Sequence, residues 1–220
     1  GSANLTGVDS AGALALTANN GALIVDIAKA ATTAELKTIA PGGTDVTVNT
    51  SLTSGQAATV TSRGNARLSD VKATTGDVII SAANGEVTGV GAGAAKLTAV
   101  TGKIDVTGGT LARLGDVDSK LDLKVAADTI SVNKAIVGGN LTLDADAGNV
   151  ILGTGTVTGS STIKTTGAGA SAGDVTIGTT LSSGGATTIN STRDAALAST
   201  TSTGPITVTA VGATTAALLK

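Results

Sequence analysis

Apolar residues in this chain come in short bursts rather than long runs, and many bursts share one form: Gly, one residue of any kind, then two apolar residues one apart. The form occurs at Gly76-Asp77-Val78-Ile79-Ile80, Gly102-Lys103-Ile104-Asp105-Val106 and Gly139-Asn140-Leu141-Thr142-Leu143. It returns at Gly148-Asn149-Val150-Ile151-Leu152, Gly173-Asp174-Val175-Thr176-Ile177 and Gly204-Pro205-Ile206-Thr207-Val208. A seventh copy, Gly43-Thr44-Asp45-Val46-Thr47-Val48, carries one extra residue before its apolar pair. Each copy predicts a turn followed by a very short strand, with Gly free to take positive φ and alternate apolar residues facing one side. Weaker pairs fill the gaps, so that Ile104/Val106, Leu111/Leu114, Leu121/Leu123, Ile130/Val132, Leu141/Leu143 and Val150/Leu152 follow one another at a step of roughly nine or ten residues. Thr, Val and Ile make up about a third of the chain, and these stiff β-branched side chains favour a pleated surface.

Short strands at this spacing suit either an antiparallel β-sandwich or a solenoid. Near-fixed repetition favours the solenoid, in which each unit buries its apolar side against its neighbours. Composition agrees, because the chain has no Phe, Trp or Tyr to fill a thick core, whereas a narrow stack is filled by Val, Ile, Leu, Ala and Thr. Two steps per coil of about twenty residues give roughly eleven coils, and a rod on the order of 50 Å long at the ~4.8 Å spacing of strands. The expected fold is an all-β parallel β-helix, with the sandwich as its rival. Residues 27–39 depart from the pattern: they are Ala-rich, carry Leu36 and Ile39 at helical spacing, and predict a short helix or an irregular coil ending at Pro41-Gly42-Gly43. The Gly/Ala-rich stretches 88–95 and 167–173 read as turns bulging from the stack. Gly1-Ser2 reads as a cloning scar on an excised fragment without a signal peptide, and residues 3–220 as one continuous repeat domain.

Composition also narrows the chemistry. The 220 residues include no His, Cys or Met, which removes the imidazole base, the thiolate nucleophile, disulfides and the usual ligands of zinc, copper and haem. With 14 Lys+Arg against 16 Asp+Glu and no long run of either sign, no polyanion-binding surface is expected. No apolar stretch approaches the 18 or so residues of a spanning helix. The chain should nevertheless fold, since 41% of it is hydrophobic and only 14% charged.

The phrase Val137-Gly138-Gly139-Asn140-Leu141-Thr142-Leu143-Asp144-Ala145-Asp146-Ala147-Gly148-Asn149-Val150-Ile151-Leu152 resembles the repeat of filamentous-haemagglutinin-like adhesins, in which a "gly-gly-asn-leu-thr-leu" strand is followed by a "gly-asn-val" strand. Residues 173–177 and 204–208 are looser copies. The resemblance implies a right-handed parallel β-helix, secreted through an outer-membrane partner transporter and exposed at the bacterial cell surface. The N-terminal secretion domain of such proteins has no counterpart here.

Candidate sites are few. Asp144-Ala145-Asp146-Ala147-Gly148 begins like a calcium loop, but Gly155 stands where the loop needs a bidentate Glu, so solvated turn residues are expected. Asp116, Asp118, Asp122 and Asp128 are interleaved with Lys120 and Lys124, as on a solvated face. Gly42-Gly43-Thr44-Asp45 does not match the calcium phrase of repeats-in-toxin coils. Thr154-Gly155-Thr156-Val157-Thr158 and Thr207-Val208-Thr209 look locally like an ice-templating face, which would need the same triplet in many successive coils. The sequons at Asn4, Asn49, Asn140 and Asn190 arise at the chance rate of a Thr/Ser-rich chain. Arg63-Gly64-Asn65, with Arg67 and Lys72, reads as a sparse basic surface. A sugar-cleaving β-helix would want clustered carboxylates and aromatic platforms.

The expectation is a non-catalytic shaft segment of a surface adhesin, with no catalytic, metal or cofactor site. The alternative is a subunit of a self-assembling surface filament or layer whose coils stack end to end. Expected partners are host-cell, matrix or neighbouring-cell surface components and the transporter during secretion, with no nucleic acid and no membrane insertion.

Overall fold

The computed structural model describes residues 1–39, 44–91 and 93–220. The chain winds as a stack of parallel coils, each made of one long strand and one short one. Long strands form a wide sheet running from Ala3–Ser10 through Leu23–Ala30 and Val46–Ser54 to Thr214–Leu219. Two coils break their long strand in two, at Ala66–Leu68 with Asp70–Ala73 and at Glu86–Thr88 with Ala95–Ala99, so the wide sheet counts 13 strands among the described residues. Short strands, from Leu14–Ala18 to Ile206–Ala210, form a second sheet, of 10 strands among the described residues. Every pairing is parallel, which excludes the antiparallel sandwich and establishes the β-solenoid.

Register shows how the sequence drives the winding. Ala3 sits over Leu23, Ile130 over Val150 and Val175 over Ala195, so one coil takes about twenty residues. Coils of extra length occur where the Gly/Ala-rich stretches lie: Glu86 pairs with Leu111 and Val150 with Val175, each 25 residues on. Residues 167–173 hold a single 3₁₀ turn, Gly169–Ser171, and Ala92 of the other stretch lies outside the described residues.

Three inward rows meet in the interior. In Leu23–Ala30, Leu23 and Val25 face in, Asp26 and Ile27 face out together, and Ala28 and Ala30 face in again. The following short strand supplies the third row with Ala34, Leu36 and Thr38. One continuous cluster of Leu, Val, Ile and Ala runs from Leu14 to Leu197. The interior rows are filled by aliphatic and small side chains alone, in keeping with a narrow core.

The structure corrects four expectations. Residues 27–39 form neither a helix nor an irregular coil: they belong to Leu23–Ala30 and Ala34–Thr38. Leu36 is buried while Glu35 and Lys37 flank it facing outward, a period of two, and the stack above and below outweighs the helical preference of Ala and Leu. Pro41, Gly42 and Gly43 lie outside the described residues. Leu121 is not a core partner of Leu123: it is 53% exposed at a turn, and Val125 completes the inward pair. Leu111 is half-buried, and Ala112 with Leu114 forms the inward pair there.

The fourth correction concerns the glycines. Among the described residues only Gly91 and Gly169 take positive φ, at 69° and 59°. The glycines of the repeated form are needed instead for close approach. A Cβ at Gly76 would lie 2.7 Å from the Ala57 nitrogen of the preceding coil, and one at Gly204 would lie 2.9 Å from that of Ala186. At Gly102 and Gly173 it would collide with the carbonyls of Gly76 and Gly148. Glycine stands over glycine because the turns stack as closely as the strands do.

Candidate functional site

The turns hold the stack in register through side chains that the repeated form leaves unspecified. In four of its six copies the residue after Gly is Asp or Asn, a short acceptor that can reach the next coil's backbone. Asp45 Oδ1 accepts the Asn65 N–H at 2.8 Å, and Asn65 Oδ1 in turn accepts that of Glu86 at 2.9 Å. The same relay runs from Asn149 to Asp174 (2.8 Å), from Asp174 to Asp194 (3.1 Å) and from Asp194 to Ala213 (2.7 Å). A second relay precedes the short strands, from Asp122 to Asn140 (2.7 Å) and from Asn140 to Ser160 (2.9 Å). These relays satisfy backbone donors that the turns would otherwise leave open. The sequence signal was the Asp/Asn enrichment after Gly, which the repeated form alone does not interpret. Arg193 clamps one rung with two bonds to Asp174, 2.6 and 2.5 Å, and this hydrogen-bonded guanidinium holds the Asp174 carboxyl below its ordinary range.

The acidic candidates are dispersed over the coils. Asp144 faces outward on Leu141–Ala145 and pairs with Lys164 of the next coil at 2.8 Å, whereas Asp146 lies at the following turn and accepts the Thr166 hydroxyl at 3.3 Å. Asp116 and Asp118 project from Leu111–Ser119, Asp122 is a rung of a turn relay, and the Asp128 carbonyl accepts the Ala147 N–H. No group of three or more carboxylates that could hold a metal ion occurs among the described residues.

The other candidates separate as well. Arg67 pairs with Asp45 at 3.4 Å, Asn65 is a relay rung, and Lys72 lies on a different part of the wide sheet. Asn49 donates to Asp26 at 2.6 Å, and Asn140 serves the turn relay. Thr142, Thr162, Thr188 and Thr207 form an outward column over four successive coils, but the neighbouring column reads Asp144, Lys164, Asn190, Thr209. Thr154 and Thr156 stand on the opposite sheet, so the threonine triplets do not assemble into one two-column face.

Where the long strands break, the outer face of the wide sheet opens into a shallow groove of about 460 Å³. Asp70, Asp116 and Asp118 line it together with Lys72, Lys96 and Lys134. Lys96 pairs with Asp70 at 3.5 Å, and Lys134 lies in register with Asp116. The charges alternate in sign between coils and balance, giving no net field for an ionic ligand.

The two ends of the stack are its other distinctive surfaces. At the N-terminal end Ala3–Ser10 and Leu14–Ala18 are each paired on one side only, and Leu5, Val8 and Leu16 are partly exposed over the core. At the other end Thr214–Leu219 closes the wide sheet, while Ile206–Ala210 has no strand beyond it, leaving Ile206 and Val208 half-buried. No protein-family model, no curated protein and no solved structure matches the chain.

Proposed function

We propose that the molecule is a non-catalytic structural spacer, a rigid shaft segment of a filamentous adhesin at a bacterial cell surface. The observation that carries this reading is the continuity of the two sheets: parallel ladders run through all the coils, one connected interior cluster extends from Leu14 to Leu197, and relays bridge the turns. Such a stack resists bending because every coil is hydrogen-bonded to both neighbours along most of its length. The outward rows carry many Thr, Ser, Asn, Asp and Lys side chains, interspersed with exposed aliphatics such as Ile79, Ile136 and Ile151. The adhesin class follows from the resemblance of residues 137–152 to that family's repeat, which also supplies the export route and the host-cell or matrix partners.

The test is to place compact marker domains at both ends and measure their separation by electron microscopy. The spacer reading expects a narrow distribution centred on the rod length of about 50 Å plus the marker radii. A broad distribution would contradict it.

A further inference from the structure

One turn inside the stack reverses the order of the relay residues. Asn65, Asn140 and Asn149 each follow a Gly, and each gives its side-chain oxygen to a backbone N–H of the next coil. Asn84 instead precedes a Gly, in Ala83-Asn84-Gly85-Glu86, and Glu86 takes the place above the Asn65 rung. Asn20-Gly21 is the only other Asn-Gly pair in the chain.

This turn is also one residue longer than those that sandwich it. Ala82 stands over Ser62 and Val87 over Ala66, so residues 83–86 span the place of residues 63–65 below. Gly108 stands over Ala82 and Ala112 over Val87, so residues 109–111 span the same place above. Gly85 is held within the stack: its carbonyl accepts the N–H groups of Gly109 at 2.8 Å and Thr110 at 3.1 Å, and a Cβ on it would lie 2.7 Å from the Gly64 carbonyl carbon. The surplus residue is therefore taken up at Ala83-Asn84, both of which are exposed. The stack thus demands a Gly at position 85 for close approach, and the bulge leaves the Asn before it outside the relays.

We propose that Asn84-Gly85 is a site of spontaneous covalent modification, in which the Asn84 side-chain amide is lost through a cyclic imide. The Gly85 nitrogen gives up its proton to solvent base and attacks Asn84 Cγ; the N–Cγ bond forms, the Cγ–Nδ2 bond breaks, and ammonia leaves. Gly85 carries no Cβ to crowd the closing five-membered ring. Water then opens the ring at Cγ to give Asp, or at the Asn84 backbone carbonyl to give isoaspartate, whose main chain runs on through Cβ and Cγ. No enzyme, oxidant or metal enters either step. Both products place a new carboxylate beside Glu86.

Peptide mapping of the intact chain tests this directly, because cleavage after Lys72 and Lys96 releases residues 73–96 with Asn84 as their only side-chain amide. After incubation of the folded protein in mildly alkaline buffer, that peptide should gain the mass of an amide-to-acid conversion, faster as pH rises. Residues 135–164, which carry the relay residues Asn140 and Asn149, should stay unchanged over the same time. An exposed bulge costs almost nothing to open, so the folded chain should react within about tenfold of its rate in urea. Hydroxylamine, which traps the imide, should cut the chain between residues 84 and 85. Asn84→Ser should abolish that cut, keep any at Asn20-Gly21, and leave the urea midpoint unchanged. Conversion of residues 73–96 in urea but not in the folded chain overturns the proposal, as does equal conversion of residues 135–164 or a cut at 84/85 that survives Asn84→Ser.

Discussion

Two stretches of the interior occupy the same register yet are filled differently. In the middle of the stack the short strands present Leu123, Val125 and Ala127, then Leu141, Leu143 and Ala145, all buried and aliphatic. One and two coils further on the same row reads Ser161, Ile163 and Thr165, then Thr187, Ile189 and Ser191. The hydroxyls are accommodated where a partner lies across the narrow interior or at a stacked turn. Ser161 and Ser183 share a bond of 2.5 Å, Thr165 donates to the Gly173 carbonyl at 3.0 Å, and Ser191 donates to the same carbonyl at 2.9 Å. Thr187 and Thr200 are the exceptions, with buried hydroxyls that find no partner among the described residues. The comparison teaches that the central row sets a size limit and not a chemical one: small polar groups enter it, Ser161, Thr165 and Ser191 bonded across the interior or to a stacked turn and Thr187 unbonded.

The largest effect expected is from a charge placed in the interior, on the wide sheet that faces that row. Val150→Asp should unfold the neighbouring coils, because Val150 is fully buried and an unpaired carboxylate there costs several kcal/mol. Asn149→Asp keeps the acceptor that holds the Asp174 N–H and should stay within about 0.5 kcal/mol of the parent. Equal urea midpoints for the two would show the register to be wrong.

Next in size is the contrast between the stretches themselves. Leu141→Ala removes a side chain packed on all sides and should cost about 2–5 kcal/mol, whereas Ser161→Ala, one coil away in the same row, loses one hydrogen bond and should cost about 1–3 kcal/mol. Denaturant midpoints in the reverse order would contradict the size-limit account. The orphan hydroxyls point the other way. Thr187→Val fills the same space without an unpaired group and should raise stability by about 1 kcal/mol; a lower midpoint would mean that the hydroxyl has a partner after all.

The smallest effect concerns pH. Arg193 holds the Asp174 carboxyl below its ordinary range in the folded chain, so the folded state binds its proton less readily than the unfolded one. The stabilisation is therefore present above the ordinary carboxylate range and is lost as pH falls through the folded value. Both side chains are partly exposed, at 54% and 28%, so the loss should be modest and screened by salt. Asp174→Asn should flatten the acid limb of a stability–pH curve; an unchanged curve would remove the role assigned to the pair.

The sequence made the repeat legible because alternation and turn chemistry are local. Val78/Ile80, Ile104/Val106 and Leu141/Leu143 could be assigned to a buried row from their spacing alone, and they are buried. The readings that failed depended on neighbours twenty residues away. The Ala-rich stretch 27–39, with Leu36 and Ile39 at helical spacing, looks helical until the coils above and below supply strand partners. Leu121 looks like a core residue until the relay rung Asp122 places it at a turn. The glycines suggested positive φ, a property of a single residue, whereas the constraint comes from the backbone stacked on them. For the same reason the Asp/Asn enrichment after Gly does not by itself reveal the relays: each bond joins two turns that only the winding brings together.

The most direct test of the stacked architecture is the outward threonine column. Thr142, Thr162, Thr188 and Thr207 stand in register on successive coils. Cysteine pairs at 142/162, 162/188 and 188/207 should each form an intramolecular disulfide rapidly and with little change in stability, while 142/188, two coils apart at about 10 Å, should not. Equal reactivity of all four pairs, or oxidation of 142/188 in preference to its neighbours, would contradict a parallel stack with one coil per twenty or so residues.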